Sequence, residues 1–301
     1  MDFLIIIKTI ILGIVEGVTE WLPISSTGHL ILVGDVLNPG MSEEFMEMFN
    51  VVIQLGAILA VVVLFFGQLW PFHTAKKQQQ WFAHPRTDGA AGKLQGFANK
   101  YIHMGKIVMW LKIAVSCLPA VIIGLPLDDW LDEHFYNAPV VAAMLILYGV
   151  LFILIENYNK KRKAKISRIS QITWKYALLI GLFQVLALIP GTSRSGATII
   201  GGILIGMSRT LAAQYTFYLA IPTMLGASLL KLVKFGFHFS SVELAVLAIG
   251  MVVAFLVSVF VIRFLMSYIK KHDFKVFGWY RIALGLLVII LALTGVLGGA
   301  A

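Results

Sequence analysis

Charge is scarce in this chain of 301 residues: Asp, Glu, Lys and Arg together make up 13% of it, against 59% hydrophobic residues. A soluble domain of that composition has nowhere to put its apolar surface, so a water-soluble fold is excluded and an integral membrane protein is expected. Cysteine is almost missing. Cys117 stands alone within an apolar run, which rules out a disulfide within the chain and suggests neither thiolate catalysis nor a cysteine-based metal site. It reads as packing. The start of the chain also lacks the pattern of a cleaved signal peptide, because Asp2 precedes the apolar residues and no cleavage-like site follows them. The first segment is therefore expected to stay in the mature protein.

What the chain has instead is long apolar runs. Stretches of about 17 to 25 apolar residues span a bilayer as helices, and residues 49–69, 107–125, 139–155, 215–232, 242–265 and 279–297 qualify. Two further apolar regions, 3–34 and 174–207, are each interrupted by a segment rich in Pro, Gly and Ser. The reading is a single all-α polytopic membrane domain over residues 1–301, with six full transmembrane helices and two re-entrant pairs of broken helices.

The few charges are unevenly spread. The 71–106 loop carries Lys76, Lys77, Arg86, Lys93, Lys100 and Lys106, the 157–175 loop is denser still, and Lys270, Lys271 and Lys275 precede the last span. Basic loops are retained in the cytoplasm, so these three lie inside. The segments holding Asp35, Glu43, Glu44 and Glu47, and Asp128, Asp129, Asp132 and Glu133, belong outside. Lys231 and Lys234, on an expected outer loop, mildly violate the rule. The net charge of +9 is thus a matter of topology and calls for no nucleic-acid partner.

Counting crossings from these anchors makes 174–207 begin and end inside, and 1–34 end outside. A shift of 168 residues superposes Gly13 on Gly181, Glu16 on Gln184, Pro23 on Gly191, Ser25 on Ser193, Thr27 on Ser195, Gly28 on Gly196 and Phe49 on Phe217. Together these favour an inverted repeat with halves of about 1–156 and 157–301. In such folds the broken helices meet near the midplane, and their interrupted backbone is tolerated because it lines a polar cavity.

Glu16 and Glu20 are four apart, on one helical face, at membrane depth where carboxylates are costly and hence functional by default. Their repulsion favours either a shared proton or a divalent cation between them. Downstream, Ser25, Ser26, Thr27 and His29 offer hydroxyls and an imidazole for phosphate hydrogen bonds, a nucleophile and a general base, although Ser and Thr here also suit helix capping. In the second break, Pro190-Gly191-Thr192-Ser193-Arg194-Ser195-Gly196-Ala197-Thr198 combines close-approach glycines, hydroxyls at a helix start and a guanidinium fork. That is an anion cradle. Arg194 has no acid nearby in sequence, so its partner is one of the glutamates or a ligand phosphate.

Other features are weaker. Gln54 is a polar residue inside a span, able either to reach the site or to tie helices together. Arg209 reads as an interfacial anchor. Trp21, Trp70, Trp110, Trp130, Trp174 and Trp279 fall near span ends, as an aromatic belt does. His73, His84 and His103 lack metal-ligand spacing and receive no role.

A carboxylate pair able to hold a divalent cation, a Ser/His group and an Arg/Gly/Ser cradle describe a metal-assisted phosphate site within the membrane, with a lipid-linked diphosphate as its natural substrate class. Glu16-Gly17-Val18-Thr19-Glu20-Trp21-Leu22-Pro23-Ile24-Ser25-Ser26-Thr27-Gly28-His29-Leu30 and the 190–198 segment closely resemble the two signature motifs of the bacterial undecaprenyl-diphosphatase, or bacitracin-resistance, family. Length and hydrophobic layout agree along the whole chain. The resemblance implies hydrolysis of undecaprenyl diphosphate to undecaprenyl phosphate and inorganic phosphate, which recycles the carrier lipid for envelope polymers. It also implies a Mg2+ or Ca2+ requirement, a site opening to the outer face of the plasma membrane, a homodimer, and bacitracin resistance, because that antibiotic sequesters the substrate. By carry-over, Glu16 and Glu20 hold metal or orient the catalytic group, Ser26 is the nucleophile and His29 the base or proton relay. Ser193, Arg194 and Ser195 bind the diphosphate, with Ser25, Thr27 and Gln54 beside them. Attack by Ser26 is favoured over attack by a water that His29 activates, without excluding the latter. Lipid phosphatases of the acid-phosphatase type need a second His soon after the Arg, whereas here none follows Arg194 until His238. The alternative from another class is a secondary transporter or flippase of an anionic lipid, with the glutamates as proton sites.

Overall fold

The computed structural model describes residues 2–37, 39–72, 89–135, 137–160 and 162–294. His73, His84, Lys76, Lys77 and Arg86 lie outside these, as do residues 295–297 of the last expected span. Among the described residues every regular element is helical: α1 (Phe3–Thr19), α2 (Ser26–Leu37), α3 (Glu43–Val52), α4 (Gln54–Leu64), α5 (Phe66–Leu69), α6 (Gly89–Tyr101), α7 (Met104–Phe135), α8 (Ala138–Asn159), α9 (Trp174–Val185), α10 (Arg194–Leu204), α11 (Arg209–Phe235), α12 (Ser241–Tyr268) and α13 (Lys275–Leu293).

The ends of these helices are written into the sequence. Ser42 caps α3 through the Phe45 amide at 3.2 Å, Asn137 caps α8 through Val140 at 3.0 Å, and Ser208 caps α11 through Leu211 at 3.2 Å. At α12 the cap is reciprocal: Ser240 accepts from the Glu243 amide while the Glu243 carboxylate accepts from the Ser240 amide. Such caps satisfy first-turn amides that have no partner within the helix.

Among the described residues six helices are long and apolar enough to cross a membrane: Glu43–Leu64, Met104–Leu127, Ala138–Asn159, Arg209–Phe235, Ser241–Tyr268 and Lys275–Leu293. Each matches one expected span, with shifted ends. The first starts six residues before 49 and is broken at Ile53, between α3 and α4. Hydropathy misses its start because α3 is amphipathic: Phe45, Met48, Phe49 and Val52 are buried while Glu43, Glu44 and Glu47 face outward. Glu47 also pairs with Lys231 near the end of α11, so this lysine, which broke the charge rule, has a local counter-ion.

The helices pack as neighbours α8 with α13, α1 with α12, α7 with α9, and α4 with α12, around a centre formed by α10 and α11. α10 is enclosed along nearly its whole length, from Ser195 to Ile203. Outward-facing residues such as Leu256, Phe260 and Phe264 of α12 remain exposed, as befits a surface meant for lipid. Trp70, Trp130, Trp174 and Trp279 are also exposed, in keeping with a belt. Trp21 corrects that reading: it is fully buried and lies edge-on to Phe217, ring centroids 5.2 Å apart.

Both interrupted apolar regions resolve into short helix pairs. The 3–34 region becomes α1 and α2, and 174–207 becomes α9, a short 3-10 turn at Leu186–Leu188, and α10. Each break ends in a serine held in the left-handed region, Ser25 at φ 73° and Ser193 at φ 71°, the two non-glycine residues with positive φ among those described. The serines also act alike. Ser25 Oγ accepts from the Gly28 amide at 3.3 Å and Ser193 Oγ from the Gly196 amide at 3.2 Å, so each starts the helix that follows it.

Arg209 is more than an interfacial anchor. Its Nε donates to both oxygens of Glu156, at 2.9 and 3.0 Å, and Glu156, 1% exposed, also accepts from the Phe274 amide at 3.1 Å. A carboxylate so buried needs such partners, and three helices are tied at this point.

Candidate active site

Glu20 occupies the C-cap of α1, where the chain leaves the helix and turns through Pro23. One carboxylate oxygen accepts from Ser26 Oγ at 3.0 Å and the other from Arg194 Nη2 at 3.0 Å. Ser26 and Arg194 are each the first residue of the helix after their break, so the two interrupted segments present their helix starts to one carboxylate. Arg194 is oriented further by Nη1, which donates to the Thr216 carbonyl at 3.0 Å. Its Nε is buried and without a partner among the described residues, a donor left over for a ligand oxygen.

These groups border a cavity of about 200 Å³ lined by Glu20, Ser26, Thr27, Gln54, Ser193 and Arg194, with Gln184 and Thr223 opposite and Gly191 in the wall. Gly191 has φ +88°, and a Cβ there would sit 2.6 Å from the Val141 carbonyl oxygen, so only glycine fits. Gln54 begins α4 just after the break at Ile53, which accounts for a polar side chain within an apolar span.

Four of the expected site residues lie outside this lining. Ser25 is buried and caps α2, and Ser195 is turned into the protein, 3.3 Å from the Glu20 carbonyl and 3.4 Å from that of Leu22. Both hold the breaks in shape. His29 is engaged elsewhere: Nδ1 is 2.7 Å from the Ser25 carbonyl and Nε2 is 2.7 Å from the Tyr280 hydroxyl. A carbonyl only accepts, so Nδ1 carries the proton, and in the neutral ring Nε2 accepts from Tyr280. Ser26 therefore gives its hydrogen bond to Glu20 and not to the imidazole. Glu16, one turn before Glu20, is fully buried, and neither of its carboxylate oxygens has a partner among the described residues. Among the described residues no group of three or more His, Cys, Asp or Glu side chains gathers to hold a metal.

Four polar residues escape the sequence reading: Gln184, Thr223, Tyr280 and Arg281. Gln184 faces the cavity from α9, near Thr223 of α11, and the only hint was its superposition on Glu16 at a shift of 168 residues. Tyr280 and Arg281, from α13, reach behind the two breaks, and nothing in local spacing distinguishes them from the belt residues beside them.

The fold and this cluster define an all-helical, multi-pass membrane protein whose buried carboxylate holds a serine hydroxyl and a guanidinium at a small internal cavity. The chain belongs to the bacitracin resistance protein BacA family, whose profile matches residues 9–287. It is 59% identical over 291 residues to an undecaprenyl-diphosphatase of Enterococcus faecalis, an alignment covering 97% of this chain and 98% of that protein. It is 54% identical over 288 residues to the undecaprenyl-diphosphatase of Lachnoclostridium phytofermentans, covering 96% and 97% of the two chains. With that of Acetivibrio thermocellus the identity is 56% over 285 residues, covering 95% and 97%.

Proposed function

We propose that this protein hydrolyses undecaprenyl diphosphate to undecaprenyl phosphate and inorganic phosphate, and so confers resistance to bacitracin. The observation that carries the reading is the bridge of Glu20 between Ser26 and Arg194 on a cavity wall. Glu20 accepts the Ser26 proton as Oγ attacks the distal phosphorus. The bond from that phosphorus to the bridging oxygen breaks, and the lipid phosphate leaves. Water then attacks the phosphoserine: its oxygen bonds phosphorus, the bond from phosphorus to Ser26 Oγ breaks, Glu20 returns its proton to that oxygen, and inorganic phosphate leaves carrying both protons of the water. Arg194, with its free Nε and its fork, stabilises charge on the transferred phosphoryl oxygens. Thr27, Gln54 and Ser193 bind the diphosphate from the lining, while Ser25 and Ser195 hold the backbone that presents it. His29, joined to Tyr280, relays protons at the edge of the site.

The unpartnered oxygens of Glu16, one turn from Glu20, fit a bound Mg2+ or Ca2+, since hard cations take carboxylate oxygens and complete their shells with water and phosphate. When bound, such an ion neutralises charge on the diphosphate. The rest of the reading is topological. The two breaks, each ending in a capping serine of positive φ, support an inverted repeat of residues 1–156 and 157–301 with re-entrant segments near the midplane. The basic 157–175 loop supports a cytoplasmic position for that end, whereas a site opening to the outer face of the plasma membrane and assembly as a homodimer follow from the resemblance to the family alone.

Phosphate release from a polyprenyl diphosphate by purified protein with a divalent cation tests the proposal, with Glu20→Ala and Arg194→Ala as controls. No release by the wild type, or undiminished release by both variants, sinks it.

A further inference from the structure

Arg281 is the largest buried charge that the proposed reaction leaves unused. It is fully buried in α13 and has no carboxylate within ion-pair distance among the described residues. Its neighbours are backbone oxygens. Nη2 donates to the carbonyls of Gly191 at 2.7 Å and Thr192 at 2.9 Å, Nη1 to that of Pro23 at 3.3 Å, and weaker contacts reach Leu145 and Met144 of α8. The guanidinium also lies 5.5 Å from the centre of the Tyr148 ring. One side chain thus takes carbonyls from both breaks and from the helix behind them. A buried arginine without a counter-ion is costly, and structures retain it where it does something specific.

The direction of those carbonyls carries the argument. In a trans peptide the C=O and the next N–H point to opposite sides, and no cis peptide is present among the described residues. With the Thr192 carbonyl held by Arg281, the Ser193 N–H is turned the other way. That N–H has no partner among the described residues, and Ser193 lines the cavity. A cradle for a diphosphate must point amides inward and keep carbonyl oxygens out, because like partial charges repel. Arg281 does this by collecting the carbonyls on the far side of the break, and its own positive charge lies just behind the wall that an anionic ligand would meet.

We infer that Arg281 is a positioning residue for diphosphate binding: by fixing the carbonyls of Pro23, Gly191 and Thr192, it holds the Ser193 amide toward the substrate. The inference rests on the proposed phosphatase activity, and one of its readouts is independent of turnover. An amide that contacts the substrate equally in the ground and transition states affects KM and leaves kcat alone, whereas lost folding lowers the active fraction and leaves KM alone.

The experiment compares Arg281→Met, Arg281→Lys and Gly196→Ala with wild type. Gly196→Ala keeps the guanidinium and places a Cβ 3.2 Å from its Nη1, so it presses on the group without removing it and serves if the Arg281 variants do not fold. Expected for folded Arg281→Met is a KM raised by about tenfold or more, from the loss of a hydrogen bond to a charged group, with kcat nearly unchanged. Arg281→Lys should lie between, since an ammonium lacks the fork, and Gly196→Ala should shift KM in the same direction by less. Binding of inorganic pyrophosphate, followed by thermal protection, should weaken in the same order, and it remains a valid readout if the wild type proves not to hydrolyse lipid diphosphates. An unchanged KM with a reduced kcat, or pyrophosphate protection equal to wild type in folded Arg281→Met, overturns the inference.

Discussion

Glu20 and Arg194 are 174 residues apart in the chain and 3.0 Å apart in the fold. Each is nearly buried, and the carboxylate shares itself between the guanidinium and Ser26. Removing one partner leaves the other charge uncompensated in a water-poor site. Glu20→Gln keeps the shape and loses the proton acceptor, so kcat should fall by roughly 10²- to 10⁴-fold, the usual worth of a general base. Arg194→Lys should fall comparably, because a single ammonium cannot reach Glu20, the Thr216 carbonyl and a phosphate oxygen together. Because the two act as a unit, the double variant should be little worse than either single one. Steady-state kinetics on the three proteins checks this, and additive losses would count against the pairing.

The order of events at Ser26 is open to direct capture. If its hydroxyl attacks phosphorus, acid quenching during turnover should leave a phosphate on Ser26, visible by peptide mass spectrometry. Ser26→Ala should then lose both the adduct and nearly all phosphate release. Full activity in Ser26→Ala would assign the attack to water.

The backbone at Ser25 and Ser193 makes a separate prediction. Both serines sit at positive φ, where a Cβ is strained by about 1–3 kcal/mol, and both cap a helix through Oγ. Glycine relieves the strain and loses little capping, whereas alanine keeps the strain and loses the cap, which is worth about 1 kcal/mol. Thermal unfolding in detergent should therefore rank Ser25→Gly at or near wild type and Ser25→Ala clearly below it, with Ser193 following the same order. Equal midpoints for the Gly and Ala variants would contradict the geometry.

These two serines mark the boundary of what the sequence makes legible. Hydropathy finds the six spans because a helix in lipid must be apolar for its full length, and the two breaks stand out because Pro, Gly and Ser interrupt such runs. Glu20, Ser26 and Arg194 are legible for the same reason, being polar where polarity is costly. The division of labour among the serines is not, because whether a hydroxyl faces a cavity or its own backbone depends on one dihedral. Arg281 and Glu156 are hidden because they fall at the ends of the apolar runs that hydropathy picks out, where a charge normally reaches water and draws no notice; in the fold Arg281 is seven residues into α13. Trp21 was misread on the same basis, since closeness to a span end does not reveal that α11 covers it with Phe217.

Glu156 and Arg209 bear on stability. Arg209→Ala would strand a carboxylate that is 1% exposed, and breaking a buried pair costs about 3–5 kcal/mol. Arg209 is itself more than a third exposed, so the lower end applies. A drop in the unfolding midpoint is expected, with KM of the remaining folded enzyme unchanged. Replacing both members, as in Glu156→Gln with Arg209→Ala, should recover much of the loss. A single variant as stable as wild type would mean that water reaches Glu156.

Glu16 separates a cation from a proton. Its two oxygens are buried and unpartnered, so the folded protein tolerates the carboxyl either by binding a metal there or by keeping it protonated. A ligand bound only to the folded state raises stability, by about 2.7 kcal/mol at a hundredfold excess over its dissociation constant. If Mg2+ or Ca2+ sits on Glu16 and Glu20, chelation by EDTA should lower the unfolding midpoint of the wild type, and adding either ion back should restore it. Glu16→Gln keeps the shape without the charge, so its midpoint should ignore EDTA while its phosphate release falls. A wild-type midpoint that EDTA does not move, in protein whose activity is intact, would instead assign Glu16 a proton and leave its repulsion with Glu20 relieved by protonation alone.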